Sequence, residues 1–226
     1  MDLINDDINI PRNDNDFEEE SIKVVLIGES GVGKTSIIAQ FTNGQFSQDL
    51  MTTNGATFST KKKEYIKEKK ILCFEIWDTA GQEKYRSLSK MFFKESSVAI
   101  IVYDITSKSS FEEIKNYWMS SVKENAPKEI ILYIVGNKID LSEREAVNED
   151  EVRDYAQKEN VLFWSTSAKN ATGINDLFDD IGQRYLCPDF NNCEENKERK
   201  NRKNEALKVE KETPNKTDVK RGCCHA

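Results

Sequence analysis

The sequence predicts an α/β fold in three layers: a six-stranded, mostly parallel sheet with one antiparallel strand, and helices on both faces. Short β-branched runs alternate along the chain with stretches of helical period, the pattern of parallel strands joined through helices. One connection, Lys67 to Lys70, is too short to hold a helix and therefore makes a hairpin with one antiparallel pair. The unusual residues gather where strands end, which is where open parallel sheets bind ligands.

The first strand is the apolar run Ile22 to Ile27, and it delivers the chain into Gly28-Glu29-Ser30-Gly31-Val32-Gly33-Lys34-Thr35. That octet fits the phosphate-binding loop G-x-x-x-x-G-K-[ST] in the strand-to-helix setting the loop requires. Glycines let the backbone curl until successive N–H groups face one anion, and the helix that follows Lys34 adds its positive end. Lys34 is expected to reach the β- and γ-phosphates of a nucleotide, and the Thr35 hydroxyl to hold Mg²⁺.

Strands over Phe58 to Lys67 and Ile71 to Trp77 form the hairpin, and a helix is expected over Lys84 to Lys94. The next strand is Val98 to Asp104. Phe111, Ile114, Trp118 and Val122 recur at helical spacing and predict a helix over Phe111 to Asn125 with that stripe in the core. Beyond the strand Ile130 to Asn137, Asn148 with Glu151 resembles a capping arrangement for a helix over Glu149 to Glu159, with Val147 packing on Val152 as a staple. The strand Val161 to Ser165 and a helix over Asn175 to Leu186 complete the series. Ile174, Leu177, Phe178, Ile181 and Tyr185 give that last helix its apolar stripe.

Composition bounds the function. The 226 residues are 37% hydrophobic and 32% charged, enough for one well-buried core with tails. The net charge of -7 comes from Met1 to Glu20, which holds eight acidic residues against Arg12; the remainder balances 32 basic against 32 acidic. No basic face for nucleic acid is present, and no run of about 18 apolar residues offers a membrane span. The start lacks the pattern of a signal peptide, and Cys73, Cys187, Cys193, Cys223 and Cys224 follow neither disulfide nor metal spacing, so a cytosolic protein is expected. His225 is the single histidine, which excludes a histidine metal site or a His-based triad. Three parts are expected: an acidic, mobile extension over 1–20, one domain over 21–186, and a flexible tether over 187–226.

Three further sites fall at strand ends. In Asp78-Thr79-Ala80-Gly81-Gln82 the aspartate can hold Mg²⁺ through water, and the Gly81 N–H can meet a γ-phosphate. In Asn137-Lys138-Ile139-Asp140 the carboxylate can accept two hydrogen bonds from the N1–H and exocyclic amine of guanine, where adenine would oppose it with an unprotonated acceptor. The backbone N–H groups of Ser167-Ala168-Lys169 can meet the guanine carbonyl. An ATPase or kinase with the same phosphate loop lacks the Asn137-Lys138-x-Asp140 pattern, and a titration with GDP against ADP separates the two.

These elements, in this order, resemble a Ras-superfamily small GTPase, and within it the Rab branch. The match runs from about Ser21 to Leu186, and Trp77-Asp78-Thr79-Ala80-Gly81-Gln82-Glu83-Lys84-Tyr85-Arg86-Ser87-Leu88 is its most specific part. The resemblance implies a three-layer P-loop NTPase (Ras-like) fold and a GTP/GDP switch in vesicle trafficking. It implies GTP/GDP contacts from Ser30, Gly31, Val32, Gly33, Lys34, Thr35, Ser36, Phe46, Thr53, Gly81, Asn137, Lys138, Asp140, Ser167, Ala168 and Lys169. Phe46 packs on the guanine, Thr53 joins Thr35 and Asp78 on Mg²⁺, and Gln82 with Lys34 carries catalysis. Phe58, Trp77 and Phe92 match a hydrophobic triad that meets effectors, with core packing as the plain alternative for each side chain.

One stretch departs from the family: Thr53-Asn54-Gly55-Ala56-Thr57-Phe58 puts Asn54 where an apolar residue is usual. Gly55-Ala56 and the terminal Cys-Cys-x-x pattern lean toward the early-endosomal subgroup. Cys223 and Cys224 resemble the paired cysteines that receive geranylgeranyl groups, and two such chains anchor durably where one does not. The implied partners are an exchange factor, a GTPase-activating protein, a GDP dissociation inhibitor, Rab escort protein with geranylgeranyl transferase, and effectors, acting on a monomeric G domain. The implied location is the cytosol and the cytoplasmic face of an endomembrane, endosomal or Golgi. A non-hydrolysing scaffold of the same fold is the alternative, set against the retention of Gln82.

Overall fold

The sheet begins earlier than its apolar run. In a computed structural model, which describes residues 17–47, 53, 55–79 and 91–187, β1 spans Glu18–Ile27. Glu18 to Glu20, expected to belong to a mobile extension, instead pair in parallel register with Lys70 to Leu72 of β3 (Lys70–Thr79). The reason is cross-strand chemistry that composition hides. Lys70 Nζ lies 2.6 Å from Glu18 and 3.5 Å from Glu20, Lys62 lies 2.6 Å from Glu19, and Glu20 accepts the Tyr185 hydroxyl at 2.9 Å. Such exposed pairs stabilise by about 0–1 kcal/mol each, so here they steer the register more than they hold the fold.

β2 (Ala56–Tyr65) is antiparallel to β3, and the reversal at 66–69 lets Lys69 take a φ of 51°. β4 (Val98–Asp104), β5 (Ile131–Asn137) and β6 (Leu162–Ser165) complete one sheet in the order β2-β3-β1-β4-β5-β6, with every pair parallel except β2 with β3. β4 is apolar from Val98 to Tyr103, as is β1 from Val24 to Ile27, because both of their faces are covered there. Ile22, Val24 and Leu26 join one core with Ile37 and Phe41 of α1 (Lys34–Asn43) and Leu177 and Phe178 of the last helix. Val25 and Ile27 join the other, with Phe111, Trp118, Val152 and Ala156. The three layers expected from the sequence are therefore present.

α2 (Lys108–Glu113) passes through a π-helical stretch (Ile114–Trp118) into α3 (Met119–Asn125), and the stripe Phe111, Ile114, Trp118 and Val122 is buried as expected. α4 (Glu149–Glu159) is capped by the Asn148 side chain, which accepts from the Asp150 N–H at 2.7 Å. Glu151 does not close a reciprocal box; it pairs with Lys115 of the π-helical stretch at 3.1 Å. Val147 and Val152 are buried in the same cluster, as the staple requires. α5 (Ile174–Leu186) follows β6. The helix expected over Lys84 to Lys94 lies outside the described residues up to residue 90, and residues 91–93 are helical.

Candidate functional site

α1 opens without a side-chain cap and without an acidic residue in its first turn, so its first N–H groups are left for an anion. Gly33, the residue before it, has a φ of 97°, and a Cβ there would stand 2.3 Å from Asn137 Nδ2. Gly28 has a φ of 135°, and a Cβ there would meet Val102 O at 2.2 Å. Both positions accept glycine alone. Over this turn opens a cavity of about 430 Å³, within the range of about 300–1,000 Å³ usual for small-molecule sites.

The loops after β1, β5 and β6 converge on that cavity. Ser30, Gly31, Gly33, Lys34, Thr35, Ser36, Phe46, Thr53, Asn137, Lys138, Asp140, Ala168 and Lys169 line it. Val32 and Ser167 stand just behind, both buried. The Asn137 side chain ties the loops together: its Nδ2 donates to Val32 O at 2.9 Å, and its Oδ1 accepts from the Ala168 N–H at 3.2 Å and from the Thr166 hydroxyl at 3.3 Å. Ser167 Oγ donates to Asp140 Oδ1 at 2.6 Å and fixes the carboxylate assigned to guanine, while Lys169 Nζ stands 4.0 Å from Asp140 Oδ2. The Ala168 N–H, expected to face guanine, is thus engaged by Asn137.

Lys34 Nζ donates to Gly28 O and Glu29 O, each at 2.8 Å, which holds the ammonium inside its own loop. Burial lowers its pKa to about 8, against the smaller opposing pull of Asp78 and Glu29. At the phosphate end, Asp78 Oδ2 accepts from Thr35 Oγ1 at 2.6 Å and from Thr53 Oγ1 at 3.2 Å, and the two hydroxyls are 2.9 Å apart. Asp78 Oδ1 is buried without a hydrogen-bond partner among the described residues. Burial pushes the Asp78 carboxyl above its ordinary value, opposed by the two threonines and Lys34. A buried carboxylate with an orphaned oxygen beside two hydroxyls is a hard oxygen donor set, and it fits a small divalent cation.

Phe58, Trp77 and Phe92 form a run of rings, with centroids 5.1 Å and 5.6 Å apart; Phe58 is exposed and the other two are half-buried. Gly81, Gln82, Cys223 and Cys224 lie outside the described residues. Sequence reasoning missed Ser47, Thr79 and Leu141 on the cavity wall and Asp104, which pairs with Lys138 of that wall. Leu141 beside Asp140, Thr79 beside Asp78 and Ser47 beside Phe46 could have been found from those neighbours; nothing local marks Asp104.

Comparisons with known proteins give the family of the chain. A family model described as the Ras family matches residues 23–186. Rab-22A of Mus musculus is 43% identical over 170 residues, covering 75% of this chain and 86% of that protein. The chain is a small GTPase of the Ras family, Rab branch. Rab-31 of Homo sapiens is 39% identical over 203 residues, covering 90% of this chain and 97% of that protein. The GTP-binding protein ypt5 of Schizosaccharomyces pombe is 42% identical over 168 residues, 74% of this chain and 79% of its own. As a Rab GTPase the chain binds GTP and GDP, hydrolyses the one to the other, and serves as a switch in vesicle trafficking with regulators and effectors.

Proposed function

We propose that this Rab protein is a membrane-anchored switch with slow intrinsic hydrolysis, recruiting effectors while GTP is bound. The observation that carries the reading is the meeting of Thr35, Thr53 and Asp78 within 3.2 Å of one another beside a cavity whose far end holds Asp140. These three residues would hold Mg²⁺, which when bound neutralises charge on the β- and γ-phosphate oxygens. Lys34 and the loop N–H groups bind and orient the phosphates, and Asp140, steadied by Ser167, accepts from guanine. Gln82 orients the attacking water. No arginine is among the described residues lining the cavity, so a GTPase-activating protein supplies the missing charge, worth about 10³–10⁵ in rate in Ras-type GTPases.

Loss of the γ-phosphate releases Thr53 and Gly81 together, and effectors that read Phe58, Trp77 and Phe92 then leave. Lipid on Cys223 and Cys224, at the end of a tether over 187–226, holds the G domain over 21–186 at the cytoplasmic face of an endosomal or Golgi membrane. An exchange factor, a GDP dissociation inhibitor, Rab escort protein and geranylgeranyl transferase complete the cycle.

The test is calorimetry on the nucleotide-stripped chain with magnesium, followed by single-turnover hydrolysis. Tight GDP uptake with none of ADP is expected, and Gln82→Leu is expected to trap GTP. Equal binding of ADP defeats the guanine assignment, and an unchanged rate in Gln82→Leu removes the role of that residue.

A further inference from the structure

Asp104 ends β4 outside every motif that the sequence marks, yet it is bonded to two of them through one side chain. The residue is buried. Its Oδ2 lies 2.6 Å from Lys138 Nζ, and the same ammonium donates to Gly31 O in the phosphate loop at 2.8 Å. Its Oδ1 accepts from the Thr106 N–H at 2.8 Å and from the Thr106 hydroxyl at 2.7 Å, and its own N–H donates to Ser110 Oγ at 3.1 Å. The carboxylate is therefore fixed from both ends. Lys138 is not so well supported by its own backbone, since it sits at a φ of 72°, where a β-carbon is strained.

We propose that Asp104 is a positioning residue for nucleotide retention: it holds the Lys138 ammonium so that the guanine loop and the phosphate loop stay clipped together over the ligand. The proposal rests on the reading of the cavity as a guanine-nucleotide site. A hydrogen-bonded charge pair of this kind, once one partner is removed, leaves an unpaired cation and shows itself in the rate of release more than in the rate of association. Lys138 belongs to a recognisable motif. The carboxylate that aims it does not.

The experiment loads the full chain with a fluorescent GDP and chases it with unlabelled GDP. Asp104→Asn, which keeps the shape and removes the charge, is expected to speed release about tenfold or more. It is expected to add little where Lys138 is already Gln, because the aspartate acts only through the lysine. Lys138→Arg keeps a cation for the carboxylate and recovers part of what Lys138→Gln loses. Release from Asp104→Asn at the wild-type rate, or full additivity of Asp104→Asn with Lys138→Gln, overturns the proposal. Should Asp104→Asn not fold, equally fast release from Lys138→Arg and Lys138→Gln overturns it instead. Failure of the wild-type chain to load GDP at all is a different result, which defeats the guanine reading beneath it.

Discussion

Lys34 carries the most consequential electrostatics of any single residue here. Burial brings its pKa down to about 8 in the free protein, and the nucleotide phosphates proposed to meet it would hold the proton on. The sign follows. Below that value both states are protonated and pH has no purchase on this group; above it, binding takes up a proton and affinity falls as pH rises. Calorimetry of GDP binding at about pH 9, in two buffers of different ionisation heat, is expected to read an uptake approaching one proton, with less at about pH 7. Lys34→Met is expected to abolish that difference. The residues of the site were legible in the sequence where each belonged to a local word: Lys34 and Thr35 in the phosphate loop, and Asn137 and Asp140 in the tetrapeptide after β5. The role of Asn137 as a tie to Val32 and Ala168 was not legible, because its partners lie far away along the chain.

Among the elements, the strands were easiest to read and their ends hardest. β4 begins with its apolar run at Val98 and keeps it through Tyr103, because a strand covered on both faces favours apolar residues along its length, and it closes on Asp104. β1 starts inside an acidic stretch because lysines of the hairpin meet it, a fact about pairing that no window of sequence contains. The 3₁₀ turn at Ile139–Arg144 was missed for a related reason: it starts from the left-handed Lys138, where no glycine advertises the conformation. The cap of α4 can be tested directly. Asn148→Ala removes the acceptor of the Asp150 N–H and is expected to cost about 1 kcal/mol, lowering the melting temperature of a domain this size by about 2–4 °C. Because Glu151 pairs with Lys115 rather than closing a box, Glu151→Ala is expected to cost less than Asn148→Ala in the same melting experiment.

At the scale of the whole molecule, the chain divides into Met1–Leu186 and Cys187–Ala226, and the second of these carries the cysteines proposed to bear lipid. Among the described residues no helix is long and apolar enough to cross a membrane. Between Cys187 and Gly222 the sequence counts ten basic and eight acidic residues, so anionic lipid would add little attraction and the proposed pair of lipid groups would supply the affinity. Cys223→Ser with Cys224→Ser is expected to move the protein from the membrane pellet to the supernatant on fractionation, and retention in the pellet would point to another anchor. The sheet order has one more consequence. The phosphate loop leaves β1 near the start of the chain, but Asn137, which clasps it at Val32, is itself held by the Ala168 N–H only once β6 has been laid down. During synthesis, then, a ribosome must translate past Lys169 before the proposed guanine site is whole, and a product cut short before that codon would lack one wall of it.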